Sequence, residues 1–204
     1  MSAHSVLTIR LVGGHPALDL LNTVDLDRPP KDQDVLRCFR DDTFWAVRVG
    51  LLSSSDREFL LDMGERSPSR ARQAHVELLH AREALRLVVR AEVDGAAVNP
   101  VAAKDFEQAV AAALAHRRFS IFGSPPGWRW LADDIDAVQH RAILGAADLL
   151  ADPARRPITV CAGTDCGWFF LDTSRSGKRR WCSDAGCGTA SRVRRLRRKR
   201  AAES

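Results

Sequence analysis

Four of the chain's five cysteines stand in two pairs of one spacing, Cys161-x4-Cys166 and Cys182-x4-Cys187, with fifteen residues between the pairs. That pattern constrains the last quarter of the chain more than any other feature. A zinc ion takes a tetrahedron of soft thiolates, and two short loops on separate segments can each supply two corners. The opening "MSAHSVLTIRLVGG" lacks the basic start, apolar stretch and small-residue cleavage site of a secretory leader, so a cytoplasmic location is expected. In that compartment thiols stay reduced, which favours metal over disulfides. Two disulfides and four unpaired thiols stay open as alternatives. A unit of some forty residues is too small to stand on a hydrophobic core. Bound zinc would supply folding energy of roughly 10–16 kcal/mol. With all four positions filled by protein, the ion is expected to be structural.

The fifteen-residue spacer reads as a β-hairpin. Trp168 and Phe170 alternate with Phe169 and Leu171 on a first strand, Ser176-Gly177 make the turn, and Arg179 to Trp181 return. Closing that hairpin would bring the two cysteine pairs together.

Charge follows the same division. Residues 161–204 hold eleven Lys/Arg against four Asp/Glu, a balance of +7, whereas residues 1–160 hold twenty against twenty-two, a balance of −2. Basicity thus belongs to one end, as expected of a segment that meets a polyanion. Arg192, Arg194, Arg195, Arg197, Arg198, Lys199 and Arg200 crowd the end of the chain, and Arg175, Lys178, Arg179 and Arg180 lie inside the cysteine stretch. On a helix, Val193 and Leu196 would face back toward the finger and leave the arginines outward. A solvated basic tail is the plainer alternative.

Upstream, the pattern is mainly α (α+β). Alternation over residues 6–11 predicts a short strand before the Gly13-Gly14 turn, and a helix carries Ala17, Leu18, Leu20 and Leu21. A proline-rich loop at "DRPPKDQD" follows, and then a helix capped by Ser54 or Ser55. Residues 69–93 place Ala71, Ala74, Leu78, Ala81, Leu85 and Val88 on one face, with Arg72, Arg82, Glu83, Arg86 and Arg90 largely off it. Residues 101–117 and 131–151 repeat the helical pattern, the latter from Leu131 to Leu149, and "RRFSIFGSPPGWRWL" between them reads as two strands about a Gly/Pro turn. Two prolines in "ADPARRP" set a boundary near residue 157, giving a helical domain over 1–157 and a finger with a basic helix over 158–204.

Catalytic motifs do not emerge. There is no Gly-x-Ser-x-Gly, phosphate loop or His-Glu-x-x-His, so no enzymatic activity is expected. His75 and His80, five residues apart, fall about 140° apart on a helix and make no metal pair. His116 and His140 have no partner at ligand spacing and read as surface or cap residues. Asp19, Asn22 and Thr23, with Arg82 and Arg86, are polar groups that could line a ligand pocket, although helix capping and surface ion pairs are the favoured reading of them.

The stretches "CAGTDCGWFFLDTSRSGKRRWCS" and "CGTASRVRRLRRKR" resemble the CGNR-type zinc finger that ends a family of bacterial transcription regulators, and "LVGGHPALDLLNTVD" resembles that family's N-terminal domain. The resemblance implies an ABATE-like, stress-response helical domain followed by a treble-clef-like finger that binds DNA. Its ligands would be Cys161, Cys166, Cys182 and Cys187, holding one structural Zn2+. The chain departs from the naming motif, since Thr189 and Ala190 stand where the family has Asn and Arg. Arg192 is near enough to substitute. The expected partner is nucleic acid, DNA ahead of RNA, with room for a small-molecule effector and a homodimer and none for a membrane. The alternatives are an RNA-binding or nonspecific nucleic-acid-binding protein, or a metabolite-binding protein or enzyme in which the finger is only structural.

Overall fold

Six helices stand where apolar residues recur every three or four positions. The computed structural model describes residues 5–25, 33–122, 125–131, 134–164 and 166–202. The helices are α1 (Pro16–Leu21), α2 (Phe39–Arg48), α3 (Ser54–Arg66), α4 (Pro68–Asp94), α5 (Pro100–Ala115) and α6 (Ala137–Ala151). In α4 the expected stripe is buried from Ala71 to Leu85, with Val88 half-buried and Val89 taking the next inward place. Pro68 opens α4 at its first turn, where a missing N–H costs nothing, and Gly95 closes it at φ 64°. Asn99 caps α5 by accepting from the N–H groups of Val101 and Ala102. The many alanines of these faces let α6 pack closely on α1, α4 and α5.

Several local expectations give way to tertiary packing. Residues 5–9 form a turn rather than a strand, with the N–H groups of Thr8 and Ile9 bonding the carbonyl of Ser5. Val6 and Ile9 then fall on the same inward side, and Arg48 clamps both their carbonyls. Ser53, not Ser54 or Ser55, caps α3, in a reciprocal box with Asp56. Helix α6 starts at Ala137, six residues after Leu131, which stays partly exposed. Of the "DRPPKDQD" loop, residues 27–32 lie outside the described residues. Arg82 belongs to the buried set, not to the outer face of α4.

Between α5 and α6, β1 (Arg117–Ser120) and β2 (Gly127–Trp130) pair antiparallel with Phe119 opposite Trp128. After α6, β3 (Ile158–Val160) pairs antiparallel with β4 (Phe169–Leu171), Ile158 opposite Leu171. This corrects the expected hairpin. β4 pairs backward with an apolar strand that precedes Cys161, so the hairpin encloses the first cysteine pair instead of joining the two pairs. The return segment, rich in Arg and Lys, forms a loop tied to Asp172, which accepts from the N–H of Ser174 and of Arg179 and from the Ser174 hydroxyl.

Hydrophobic packing runs across residue 157. One hydrophobic cluster joins Leu20, Leu36, Trp45 and Leu78 to Cys161, Trp168, Phe170 and Cys182. The other joins Leu18, Leu21, Leu85 and Ile143 to Ile158 and Phe169.

Candidate metal centre and nucleic-acid face

The β3–β4 hairpin presents Cys161 just past β3 and Cys166 on the way back into β4, with Gly167 at φ 62° making the left-handed step that glycine allows. Cys182 follows the Asp172-tied loop. Cys187 lies in a π-helical turn (Asp184–Gly188) that runs straight into the last helix, α7 (Thr189–Ala202). The Sγ atom of Cys182 is 3.7 Å from those of both Cys166 and Cys187, and all four sulfurs lie within 4.8 Å of one another. A tetrahedron of Zn–S bonds has edges of roughly 3.8 Å, so the four thiolates are placed to bind one zinc ion.

The surroundings fit the charge of that site. Cys161 accepts from the N–H groups of Cys182 at 3.2 Å and Gly163 at 3.4 Å. Hydrogen bonds from Cys166 and Cys182, and then these amides, hold its thiol far below the ordinary value. The hydrogen bonds to Cys161, together with burial, raise Cys166 and Cys182. Only a divalent cation allows all four to ionise together. Glycine at 163 allows a close approach: a Cβ there would stand 3.0 Å from both Cβ and Sγ of Cys187, which would have to shift by a few tenths of an ångström.

Of the five residues expected to line a pocket, Asn22 fastens the finger to the helical body, and the other four bond within that body. Asn22, only 1% exposed, donates from its amide to the Phe169 carbonyl and accepts from the Phe169 N–H, both at 2.8 Å. Leu171 N–H bonds the Gly13 carbonyl at 2.9 Å, and Trp168 Nε1 bonds the Val24 carbonyl at 3.0 Å. The outer edge of β4 is therefore paired by the "GGHPALDLLNT" segment rather than by another strand. Asp19 fixes that segment by accepting from the Gly13 N–H at 2.8 Å. Burial, opposed by this bond, raises the Asp19 pKa. Arg82 reaches Thr23 Oγ1 and grips Asp34 with both terminal nitrogens, while Arg86 donates to the Leu21 carbonyl. Asp19, Asn22, Thr23 and Arg82 are buried, while the half-buried Arg86 also pairs with the exposed Glu83 at 3.3 Å.

The basic residues divide by role. Arg179 is spent internally, donating to the carbonyls of Trp181 and Cys182 and lying 4.4 Å over the Phe170 ring. Arg192 pairs with Asp184 at 2.8 Å and also bonds Thr189 Oγ1. That hydrogen bond holds the Asp184 carboxyl below its usual range. Gly188, the second letter of the family motif, sits where a Cβ would come within 2.7 Å of the Asp184 carboxylate. Arg192 also lines one open groove with Arg180, Arg194, Arg195, Arg198, Trp181 and Ser191. Lys178 borders the adjoining hollow beside the Ser174–Ser176 turn, and Arg175, within that turn, is exposed. Beyond the π-helical turn α7 touches no other element among the described residues. Val193 and Leu196 are consequently exposed, at 42% and 50%, not folded back on the finger.

A second convergence escaped sequence reasoning. His116 and His140, twenty-four positions apart, both direct Nδ1 at one oxygen of Asp134. Their approach depends on closure of the β1–β2 hairpin, which no local spacing reports. The other two helix histidines bind carboxylates, His75 with Asp42 and His80 with Asp105.

Comparison with known families places both halves. Residues 14–153 match the ABATE model, described as "Putative stress-induced transcription regulator", and residues 158–200 match the CGNR zinc finger. No curated protein matches the chain. The chain belongs to the ABATE family, with a CGNR zinc finger after the ABATE domain.

Proposed function

From that membership we propose that the protein is a DNA-binding regulator in which zinc fixes the finger and the finger aims α7 at the duplex. The observation that carries this reading is the groove between Arg180 and the first turns of α7. Arg180 and four arginines of α7 converge there around Trp181, and among the described residues no other element covers that helix beyond the π-helical turn. Four thiolates around zinc contribute −2, which leaves the last 44 residues near +5. Arginine's planar fork suits phosphates and guanine edges, and exposed Val193 and Leu196 offer apolar contact to thymine methyls. Free α7 is marginal, since fourteen residues dense in like charge repel along the helix. Phosphates would neutralise that repulsion, so helicity should rise on binding. The finger's zinc, closed by four protein ligands, is structural in this reading and assigns no reaction to the chain.

The test is binding of full-length protein to random-sequence and genomic duplexes, beside single-stranded RNA. Replacing Arg194, Arg195 and Arg198 together by Ala should weaken duplex binding while zinc content stays at one per chain. Thr189→Asn with Ala190→Arg restores the family motif. Uniformly stronger binding would mark position 190 as a phosphate contact, and sharper discrimination would mark it as a reader of sequence. Stronger binding to RNA than to any duplex would contradict the DNA assignment.

A further inference from the structure

We propose that His116, Asp134 and His140 form a second metal site, apart from the cysteine finger, for a divalent first-row transition ion. The three residues come from three places that the fold draws together. His116 is the C-cap of α5, and its carbonyl accepts the Leu131 N–H at 3.0 Å, which closes the β1–β2 hairpin over it. Asp134 precedes α6 and His140 lies on the first turns of that helix. The Asp134 carboxylate is oriented: Oδ1 accepts the Asp136 N–H at 3.0 Å, which leaves Oδ2 turned to the histidines. Oδ2 is 2.7 Å from Nδ1 of His140 and 3.3 Å from Nδ1 of His116, and all three ligand atoms lie within 4.8 Å of one another. The imidazole ring centroids are 4.1 Å apart, with the rings tilted by 34° to one another.

Two imidazoles and one carboxylate make a borderline N2O set with one negative charge, suited to Zn2+, Co2+, Ni2+ or Fe2+ rather than to Mg2+ or Ca2+. Bonds of about 2.0–2.1 Å give ligand-to-ligand edges of roughly 3.0–3.4 Å. The His116 edge already has that length. The His140 edge is that of a hydrogen bond, and an ion taking the proton's place would open it by a few tenths of an ångström. Asp134 and His140 are buried at 9% and 4%, whereas the His116 side chain is 39% exposed, so the site has a rigid floor and an entry. A water or small anion that a three-ligand ion retains would sit on the exposed His116 side. In contrast to the closed thiolate centre, this site should exchange its ion readily.

The test starts from full-length protein carrying zinc in the cysteine site and titrates it with Co2+. Wild-type protein should take up one further equivalent, with the weak visible bands of N/O ligation and no thiolate-to-cobalt charge transfer, and its melting temperature should rise. His116→Gln should keep the thiolate zinc and weaken the second equivalent by at least the roughly 10–100-fold that losing even an outer ligand partner costs. Uptake that stops at the thiolate zinc, or unchanged affinity in His116→Gln, would overturn the proposal. Should the variant fail to fold, the wild type decides alone. Bound Co2+ must broaden the ring signals of His116 and His140, and sharp signals from both with the second equivalent bound would equally overturn it.

Discussion

Asn22→Ala removes one small side chain, yet it should loosen the finger from the helical body. Asn22 is 1% exposed and Phe169 is 2% exposed, and two 2.8 Å bonds join them. The substitution leaves a buried N–H and a buried carbonyl of Phe169 without partners, at about 1–3 kcal/mol each. The expected loss is therefore about 2–6 kcal/mol, a large part of the 5–15 kcal/mol typical of a folded domain. For a chain of this size each kcal/mol lowers the melting temperature by about 2–4 °C. Zinc holds the finger's own loops, so undocking should precede unfolding. Thermal unfolding followed by circular dichroism should show the lowered midpoint. Hydrogen exchange should speed up at the Phe169 and Leu171 amides, with zinc content unchanged at one per chain. A variant within about 0.5 kcal/mol of wild type, the range of an ordinary surface substitution, would refute the idea that Asn22 pairs the edge of β4.

The remaining predictions concern the zinc cradle, the buried ion pair and the shared core. Gly163→Ala would press a methyl against Cys187, and overpacking of about 1–3 kcal/mol should weaken zinc roughly 5–150-fold in a competition with a chelator. Burial pushes the Asp42 carboxyl up to about 6, against its hydrogen bond to His75, so the folded state holds that proton more tightly than the unfolded chain. Asp42 therefore favours folding most below about pH 4, and about 3 kcal/mol is lost as pH rises to 6. The hydrogen bond to Asp42 raises His75, whose contribution is present below pH 6.5 and fades as pH climbs through its folded pKa. Asp42→Asn should flatten the loss between pH 4 and 6 in denaturant titrations, and parallel wild-type and variant curves would contradict this. A fragment ending at Pro157 loses Ile158 and Phe169 from one cluster and Trp168 and Phe170 from the other. It should bind a hydrophobic dye and unfold without a sharp transition; a cooperative, native-like melt would show that the helices need no finger.

Local chemistry made much of this legible. The stripe of α4 and the two cysteine pairs are each specified within a few residues, and the structure keeps them. What the sequence hid depends on distant partners. Nothing near Asn22 reveals a bond to a strand 147 positions away, so it reads as a cap or a pocket residue. β4 shows a strand pattern but not its neighbour, and the adjacent Arg-rich segment was the nearer candidate. Arg82 sits beside outward-facing arginines yet turns in, because Thr23 and Asp34 wait for its two nitrogens. Val193 and Leu196 carry the spacing of a packed face, but α7 extends past the body that would have covered them. Thr189 and Ala190 show directly that two letters of the family motif are missing. The consequence is visible only in three dimensions, where Arg192 occupies the space beside Asp184.

The salt dependence of duplex binding tests the central claim most directly. Apart from Arg179, held inside the finger, and Arg192, paired with Asp184, the basic residues of α7 and the groove should neutralise about five phosphates. Log affinity should then fall against log salt with a slope near −4.5. Deleting residues 192–204 should flatten the slope and abolish most of the affinity while the four cysteines keep their zinc. An unchanged slope and affinity after that deletion would contradict the account, because α7 would then be a basic appendage and not the surface that meets DNA.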